Sequence, residues 1–324
     1  MITVGGIDIG GTKCAVSIGE VNGRNVKILA KRKIATPGNP QKAVSEMVRI
    51  LKEIADDTGM TLDAVGISCG SPLDSRNGII KEPPNLPGWI DIDIFTPFKE
   101  AFHVPIAIQN DANACALAEW MWGAGQGYNN MIFLTFGTGL GAGLILNGKL
   151  YAGTSDMAGE VGHIRLEADG PTGYNKAGSF EGFCSGGGIA HLGMRMLEKY
   201  RKEGRNSKLF DVKDRKREIT AEDIGRAAQE EDELALSILQ IVGTELGKGL
   251  AVLTDILNPE VIVIGSIFVR QEQLLREPME KMLKQEALPM NASACRVLPA
   301  KLGENLGDYA AFSVAMNCLR QSEI

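Results

Sequence analysis

Asp8-Ile9-Gly10-Gly11-Thr12-Lys13 and Gly137-Thr138-Gly139-Leu140-Gly141-Ala142-Gly143 are the two stretches on which the fold turns. Each follows an apolar run, Met1–Ile9 or Met131–Thr135, and precedes another, Cys14–Ile18 or Gly143–Leu146. An apolar run, a glycine turn and a second apolar run read as a β-hairpin. The two hairpins stand about half the chain apart, which predicts a duplicated architecture with one in each lobe. Glycines let backbone N–H groups come close to a phosphate, and Thr12 adds a hydroxyl donor. Glycines at alternate positions would weaken a strand unless something needs the backbone bare. Neither stretch is a Walker A loop or a GxGxxG turn. Each alone is equally an ordinary hairpin turn; two facing each other would clamp a polyphosphate. Asp8, at a strand end, is a candidate to hold Mg²⁺ through water, because Mg²⁺ sheds its waters reluctantly.

Outward from these hairpins the pattern alternates. Val26–Ile34 reads as a third strand, and Lys42–Asp56 puts Val44, Met47, Val48, Leu51 and Ile54 at helical spacing. Strands are expected at Ala64–Cys69, Val104–Gln109 and Val261–Ile264. Helices are expected at Asp111–Met121, Gly187–Arg201, Ala221–Gln229, Asp232–Leu257, Gln271–Gln285 and Leu306–Leu319. The stretches Gly70–Gly88 and Asp169–Gly188 read as loops. Strands interleaved with helices give an α/β fold. The expected division is a small lobe, residues 1–109 plus 306–324, and a large lobe, residues 110–305, with no flexible linker between them.

The 324 residues are enough for about two domains. With 44% hydrophobic and 23% charged residues the chain is globular and not disordered. Lys and Arg number 34 against 40 Asp and Glu, a net charge of −6, which argues against a nucleic-acid partner. The basic stretch Lys213–Arg217, broken by Asp214, reads as a solvated loop. No run of 18 apolar residues points to a membrane, and Asp8 comes too early for a signal peptide. The six cysteines (14, 69, 115, 184, 295, 318) form no CxxC pair and are expected to be buried free thiols. A soluble, cytoplasmic protein is the expectation.

Asn110-Asp111-Ala112-Asn113 falls where a strand gives way to a helix. Asp111 there is either a cap or dipole partner, or a general base at a strand's C-terminal end; spacing does not choose. Gly159-Glu160-Val161-Gly162-His163 sets an acid and an imidazole between glycines, and His163 is either a metal ligand or an ordinary hydrogen-bonded histidine. Trp89 is either loop packing or a lid. His103 and His191 carry no assigned role, and Met194, Met196 and Leu197 read as core.

These motifs together resemble the ROK family of sugar kinases and sugar-responsive repressors, over nearly the whole chain and in the family's order. Asp8–Lys13 is similar to its first phosphate motif and Gly137–Gly143 to its second. Gly66–Pro72 with Pro84–Trp89 are similar to its sugar loops, and Asn110-Asp111 to its catalytic pair. Gly159–His163 and Phe180-Glu181, followed by Ser185-Gly186, are similar to its remaining sugar-site motifs. The resemblance implies a two-lobed actin-like ATPase (ribonuclease H-like) sugar kinase fold with a cleft between the lobes. It implies Asp111 as base toward a sugar hydroxyl, and Gly70, Asn85, Asn110, Glu160, His163 and Glu181 as sugar contacts. Such side chains suit a hexose, whose buried hydroxyls each need a partner. On the nucleotide side it implies Asp8, Gly10, Gly11, Thr12, Lys13, Gly137, Thr138, Gly139 and Gly265.

Two departures stand out. Many family members carry three zinc-binding cysteines after the GExGH motif; here Thr172, Tyr174 and Ser179 occupy those places and only His163 remains. One histidine does not make a four-ligand structural site, so no zinc is expected, and packing through Tyr174, Phe180 and Phe183 must order the loop. At Ile264-Gly265-Ser266-Ile267 the family usually has more glycines beside the adenosine, so Ser266 and Ile267 are expected to narrow that wall. The resemblance implies an ATP- and Mg²⁺-dependent hexokinase, acting on glucose or a close relative at the 6-hydroxyl, and a homodimer. N-acetylhexosamine, fructose, mannose, allose and β-glucoside kinases are alternatives within the family. A sugar-sensing regulator is another, against which only seven residues precede Asp8. A carboxylate kinase would lack these sugar motifs.

Overall fold

The computed structural model describes residues 1–214 and 217–322. Arg215 and Lys216, within the expected solvated loop, and Glu323 and Ile324 lie outside the described residues. In chain order the structure begins β1 (Ile2–Ile9), β2 (Lys13–Asn22), β3 (Asn25–Ala35), α1 (Pro40–Thr58) and β4 (Ala64–Cys69). A short ribbon β5 (Leu73–Asp74), β6 (Ile79–Ile80) and β7 (Ile92–Asp93) precedes α2 (Phe95–Phe102), β8 (Ile106–Asn110) and α3 (Asp111–Trp122). Then come β9 (Met131–Phe136), β10 (Leu140–Leu146), β11 (Lys149–Tyr151), β12 (Thr172–Gly173), β13 (Lys176–Ala177), α4 (Phe180–Phe183) and α5 (Gly186–Lys202). The chain closes with α6 (Leu209–Asp214), α7 (Ala221–Gln229), α8 (Glu233–Leu257), β14 (Val261–Ile264), α9 (Ile267–Glu286), α10 (Pro289–Ala294), β15 (Arg296–Pro299) and α11 (Leu306–Ser322). Both expected hairpins form, β1–β2 and β9–β10. Two compact units result: Met1–Phe133, Gly143–Gly159 and Lys301–Ile324 make the first, and Leu134–Ala142 with Glu160–Ala300 the second.

The first unit is built on a sheet of order β3-β2-β1-β4-β8, antiparallel across β1, β2 and β3 and parallel from β1 to β4 and β8. Helix α1 shows how local sequence sets an element. Asn39 caps it by accepting the Lys42 N–H at 2.8 Å, Pro40 occupies the first turn, and Gly59 ends it in the left-handed region (φ 66°). Val44, Met47, Leu51 and Ile54 fall on one face and pack into the sheet's core with Ile7, Val16 and Ile67. Trp89, 2% exposed, belongs to this same core, so its role is loop packing.

Helix α11 packs on β1 and β4, so tightly that side chains must be missing beneath it. A Cβ on Gly66 would stand 2.0 Å from the Ala311 carbonyl oxygen. Phe312 lies over Gly6 and Gly19 in the same way. The buried Glu119 of α3 anchors the approach to α11: its carboxylate accepts the N–H groups of Ala124, Lys301 and Leu302 at 2.7, 2.9 and 2.9 Å.

The second five-stranded sheet has the order β11-β10-β9-β14-β15, with β14 and β15 parallel. In the second unit α8 is the spine, packed against α9, α7, α5 and α4. Asp232 caps it by accepting the Ala235 N–H at 2.9 Å, and Asn258 ends it at φ 42°. Among the described residues it is the one helix long and apolar enough to cross a membrane, yet most of it is buried in this unit. Helix α9 starts earlier than its periodicity suggested, at Ile267, because Gln271 (φ −120°, ψ 20°) kinks it just where the apolar repeat begins. Leu197 is core, whereas Met194 and Met196 are only half-buried. None of the six cysteines forms a disulfide; Cys14, Cys69, Cys184 and Cys295 are buried, Cys115 and Cys318 half-buried.

Gly66→Ala tests the helix–sheet contact. The added methyl meets backbone on α11, which cannot rotate away as a side chain would. The variant is expected to lose about 1–3 kcal/mol of stability in urea unfolding; an unchanged midpoint would place α11 elsewhere.

Candidate active site

The end of β8 decides what Asp111 can do. Asn110 is extended (φ −67°, ψ 160°), and its Oδ1 accepts the Asn113 N–H at 2.8 Å, so Asn110 is the cap of α3. It is 4% exposed, with its Nδ2 directed at the Asp156 carbonyl, 3.5 Å away. Asp111 is therefore the first helical residue and is released from capping. Its Oδ1 accepts the neighbouring Ala112 N–H, at 2.8 Å. The side chain reaches solvent, yet protein rings it closely enough for desolvation to raise its pKa, against the opposing pull of the Ala112 N–H. A carboxylate held with raised proton affinity and an open face is suited to take a proton.

Asp8, at the end of β1, shares this carboxylate-rich place. Burial first, then the charges of Asp308 and Asp111, push its pKa up to about 6; Lys31 and Lys33 act in the opposite sense. Asp308, in the first turn of α11, is buried and paired with Lys31. Gly307 lets α11 start beside Asp8: a Cβ there would lie 3.1 Å from Asp8 Oδ2. Carboxylates so crowded favour a cation, and one or two carboxylates plus water and phosphate oxygens are what Mg²⁺ takes. Asp8 therefore fits a Mg²⁺ role.

The expected sugar loop meets the first phosphate turn directly. A Cβ on Gly11 would fall 2.3 Å from the Asn85 carbonyl oxygen, and one on Gly70 would fall 2.7 Å from Asn85 Oδ1. Packing against Asn85 thus demands both glycines, whatever either does toward a ligand. Gly10 donates its N–H to the Lys13 carbonyl at 3.1 Å and its own carbonyl accepts the Thr36 hydroxyl at 2.6 Å. Thr12 and Lys13 are exposed at the hairpin tip. Ser75 ties the sugar loop to Asp156 through two bonds of 2.7 and 2.8 Å.

In the second unit Glu160 precedes and His163 ends a 3-10 turn, Val161–His163, and both are exposed. Glu181, in α4, accepts the Leu140 N–H at 3.1 Å and fills the space Gly139 leaves, so a sugar motif and the second phosphate motif touch here. The segment that lacks the cysteines is ordered by backbone. Thr172 and Tyr174 belong to the β12–β13 ribbon and its turn, and Ser179 caps α4 by accepting the Gly182 N–H at 3.1 Å. Phe180 and Phe183 are buried as expected. Tyr174 is not: it is 70% exposed, with the edge of the His163 ring beside it at a centroid distance of 6.1 Å. Its place at a ribbon tip, at φ 43°, turns the ring outward. Among the described residues no three His, Cys, Asp or Glu gather as metal ligands, and the hydroxyls at 172, 174 and 179 do not fit zinc.

A cavity of about 680 Å³ in this unit is lined by Gly137, Thr138, Gly186, Gly187, Ser266 and Gln271, among others. Its size suits a small-molecule site. Gly186 donates its N–H to the Gly137 carbonyl at 2.8 Å, which brings the turn to the start of α5, and Gly187 faces open space. Ser266 and Ile267 line this cavity, while Gly265 is buried with its N–H bonded to the Leu134 carbonyl at 3.0 Å. The sequence reading missed Gly187, Gln271 and Glu218–Glu222 as lining. A serine cap followed by three glycines, at Ser185–Gly188, was the readable signal, since a helix rarely begins so poorly without cause. A second cavity, of about 640 Å³ beside Phe183, Leu192 and Tyr200, holds none of the expected site residues.

The chain matches the ROK family over residues 4–317. It is 32% identical to a glucokinase of Halalkalibacterium halodurans, over 93% of this chain and 91% of that one. The fold superposes, with a TM-score of 0.73 and 27% identity, on a ROK family glucokinase from Streptomyces griseus in complex with glucose and AMPPNP, covering 97% of this chain and 99% of that one. A xylose repressor of Bacillus spizizenii is 30% identical over 75% of this chain and 58% of its own.

The charge at Asp8 sets a pH test. Its carboxyl titrates at 3.8 ordinarily and at about 6 in the folded protein, so the folded state binds that proton more tightly. The linked stability is present below about pH 4 and lost as pH rises through 6. Asp8→Asn is expected to be about 1–3 kcal/mol more stable than the parent at pH 7.5, with the advantage gone near pH 4 in urea unfolding. An equal effect at both pH values would contradict the assignment.

Proposed function

The chain belongs to the ROK family, and from that premise we propose that it is an ATP-dependent hexokinase, with glucose or a close relative as substrate and the 6-hydroxyl as acceptor. The observation that carries the mechanism is the Asn110 cap, which relieves the Asp111 carboxylate of capping α3. Asp111 takes the hydroxyl proton as the sugar oxygen bonds to the γ-phosphorus. The bond from that phosphorus to the bridging oxygen breaks, and ADP leaves. Phosphoryl transfer of this kind is commonly loose, so a carboxylate suffices as base, and the desolvation of Asp111 strengthens it.

Gly70 and Asn85 in the first unit, and Glu160, His163 and Glu181 in the second, are the proposed partners for sugar hydroxyls. Asn110 spends its oxygen on the cap and offers Nδ2 alone. The nucleotide reading rests on the cavity at Gly137 and Thr138, with Gly139 and Gly265 shaping the turn and wall behind it. Asp8, Gly10, Gly11, Thr12 and Lys13 serve the phosphate end from the first unit. Mg²⁺, held through water by Asp8, would offset charge on the β- and γ-phosphate oxygens. A cytoplasmic homodimer accords with this reading.

Asp111→Asn is expected to cut kcat by about 10²–10⁴ while glucose affinity by calorimetry stays within a few-fold. Near-normal turnover in a coupled ADP-release assay would remove Asp111 from the role. The same assay over glucose, mannose, allose, fructose, N-acetylhexosamines and β-glucosides is expected to give its highest kcat/KM with glucose. A clear preference for another sugar would reassign the substrate.

A further inference from the structure

Ser266 is the anomaly in the cavity at Gly137. Its backbone stands at φ 55°, ψ −109°, a conformation that glycine adopts freely and L side chains rarely do. A glycine would relieve the strain at once, yet a hydroxyl is held there, exposed to the cavity. The Cβ position of Gly137 lies 3.5 Å from Ser266 Oγ, so the hydroxyl borders the bare turn directly. Arg270 donates to Ser266 Oγ at 3.2 Å. Among the described residues no carboxylate pairs with that guanidinium.

The chemistry follows from who donates. Because Oγ already accepts from Arg270, its own hydrogen is left to be given away, and the nearby positive charge makes it a better donor. What completes it is an acceptor carrying negative charge. Glu218 and Glu222 also line this cavity and would repel such a group, whereas the bare turn at Gly137 borders the Ser266 hydroxyl and carries no charge. We infer that Ser266, backed by Arg270, is a nucleotide-binding side chain that donates to a phosphate oxygen of the bound nucleotide, and that the backbone strain at 266 is retained for that contact. This rests on the nucleotide reading proposed above.

Relief of strain and loss of the contact have opposite signs, and that makes the test. Ser266→Gly is expected to melt about 2–4 °C higher and to bind ADP roughly tenfold more weakly by calorimetry. Ser266→Ala keeps the strain and loses the hydroxyl, so its Tm should stay within about 1 °C while ADP binding weakens similarly. Arg270→Met should weaken ADP binding in the same direction. ADP affinity unchanged in Ser266→Gly, or a lower Tm, overturns the inference. If the parent protein itself binds no ADP, the nucleotide reading fails first, and the inference with it.

Discussion

Asn110 Oδ1 accepts the Asn113 N–H at 2.8 Å, and the chemistry available to the first unit follows from the place where that bond starts a helix. A strand entering a helix leaves orphan N–H groups that some side chain must satisfy. Had Asp111 been that side chain, its carboxylate would be spent on the backbone. With the cap one residue earlier, Asp111 becomes the first helical residue, near Asp8 at the end of β1. The parallel register of β1, β4 and β8 brings the ends of these strands together: Ile9 pairs with Cys69, and Cys69 with Asn110. Gly66, bare beneath α11, keeps the helix close enough for Gly307 and Asp308 to reach Asp8. The site is thus a consequence of three strand ends and two helix starts held at short range.

Much of this was legible in the sequence, for identifiable reasons. Apolar runs flanking glycine turns fixed both hairpins, and Val261–Ile264 stood out because a strand buried on both faces is a continuous apolar run. Helix α7 has the expected bounds, and the structure shows why it starts there: Thr220 and Asp223 form a capping box. Other features depend on neighbours distant in the chain. Gly11 reads as a phosphate glycine, and its close approach to the Asn85 carbonyl, which also requires a glycine, is set by a residue far along the chain. Asn110 and Asp111 are equally good caps by type, and only the backbone angles choose between them. Composition does not mark where the units divide, since the chain passes between them at Phe133, Ala142, Gly159 and Ala300 without a linker.

The segment between Glu160 and Ser185 shows how a loop can stay ordered with its expected ligands exchanged for hydroxyls. A two-residue ribbon, a serine cap and two buried phenylalanines supply the order, and Glu181 is held at the Leu140 N–H as a result. The exchange leaves the ring of Tyr174 exposed beside His163, where it alters the surroundings of a proposed sugar contact. The same economy appears at Ser266, where a side chain occupies backbone that glycine would fill without strain. Both places are where the resemblance led us to expect other residues, and both border the proposed ligands.

Phosphorus NMR of the protein with glucose, ATP and Mg²⁺ identifies the phosphorylated product directly. A sugar phosphomonoester resonance should grow in step with ADP, with no inorganic phosphate and no ATP loss when glucose is left out. Release of inorganic phosphate without sugar, or ATP left intact with every hexose supplied, would contradict the account.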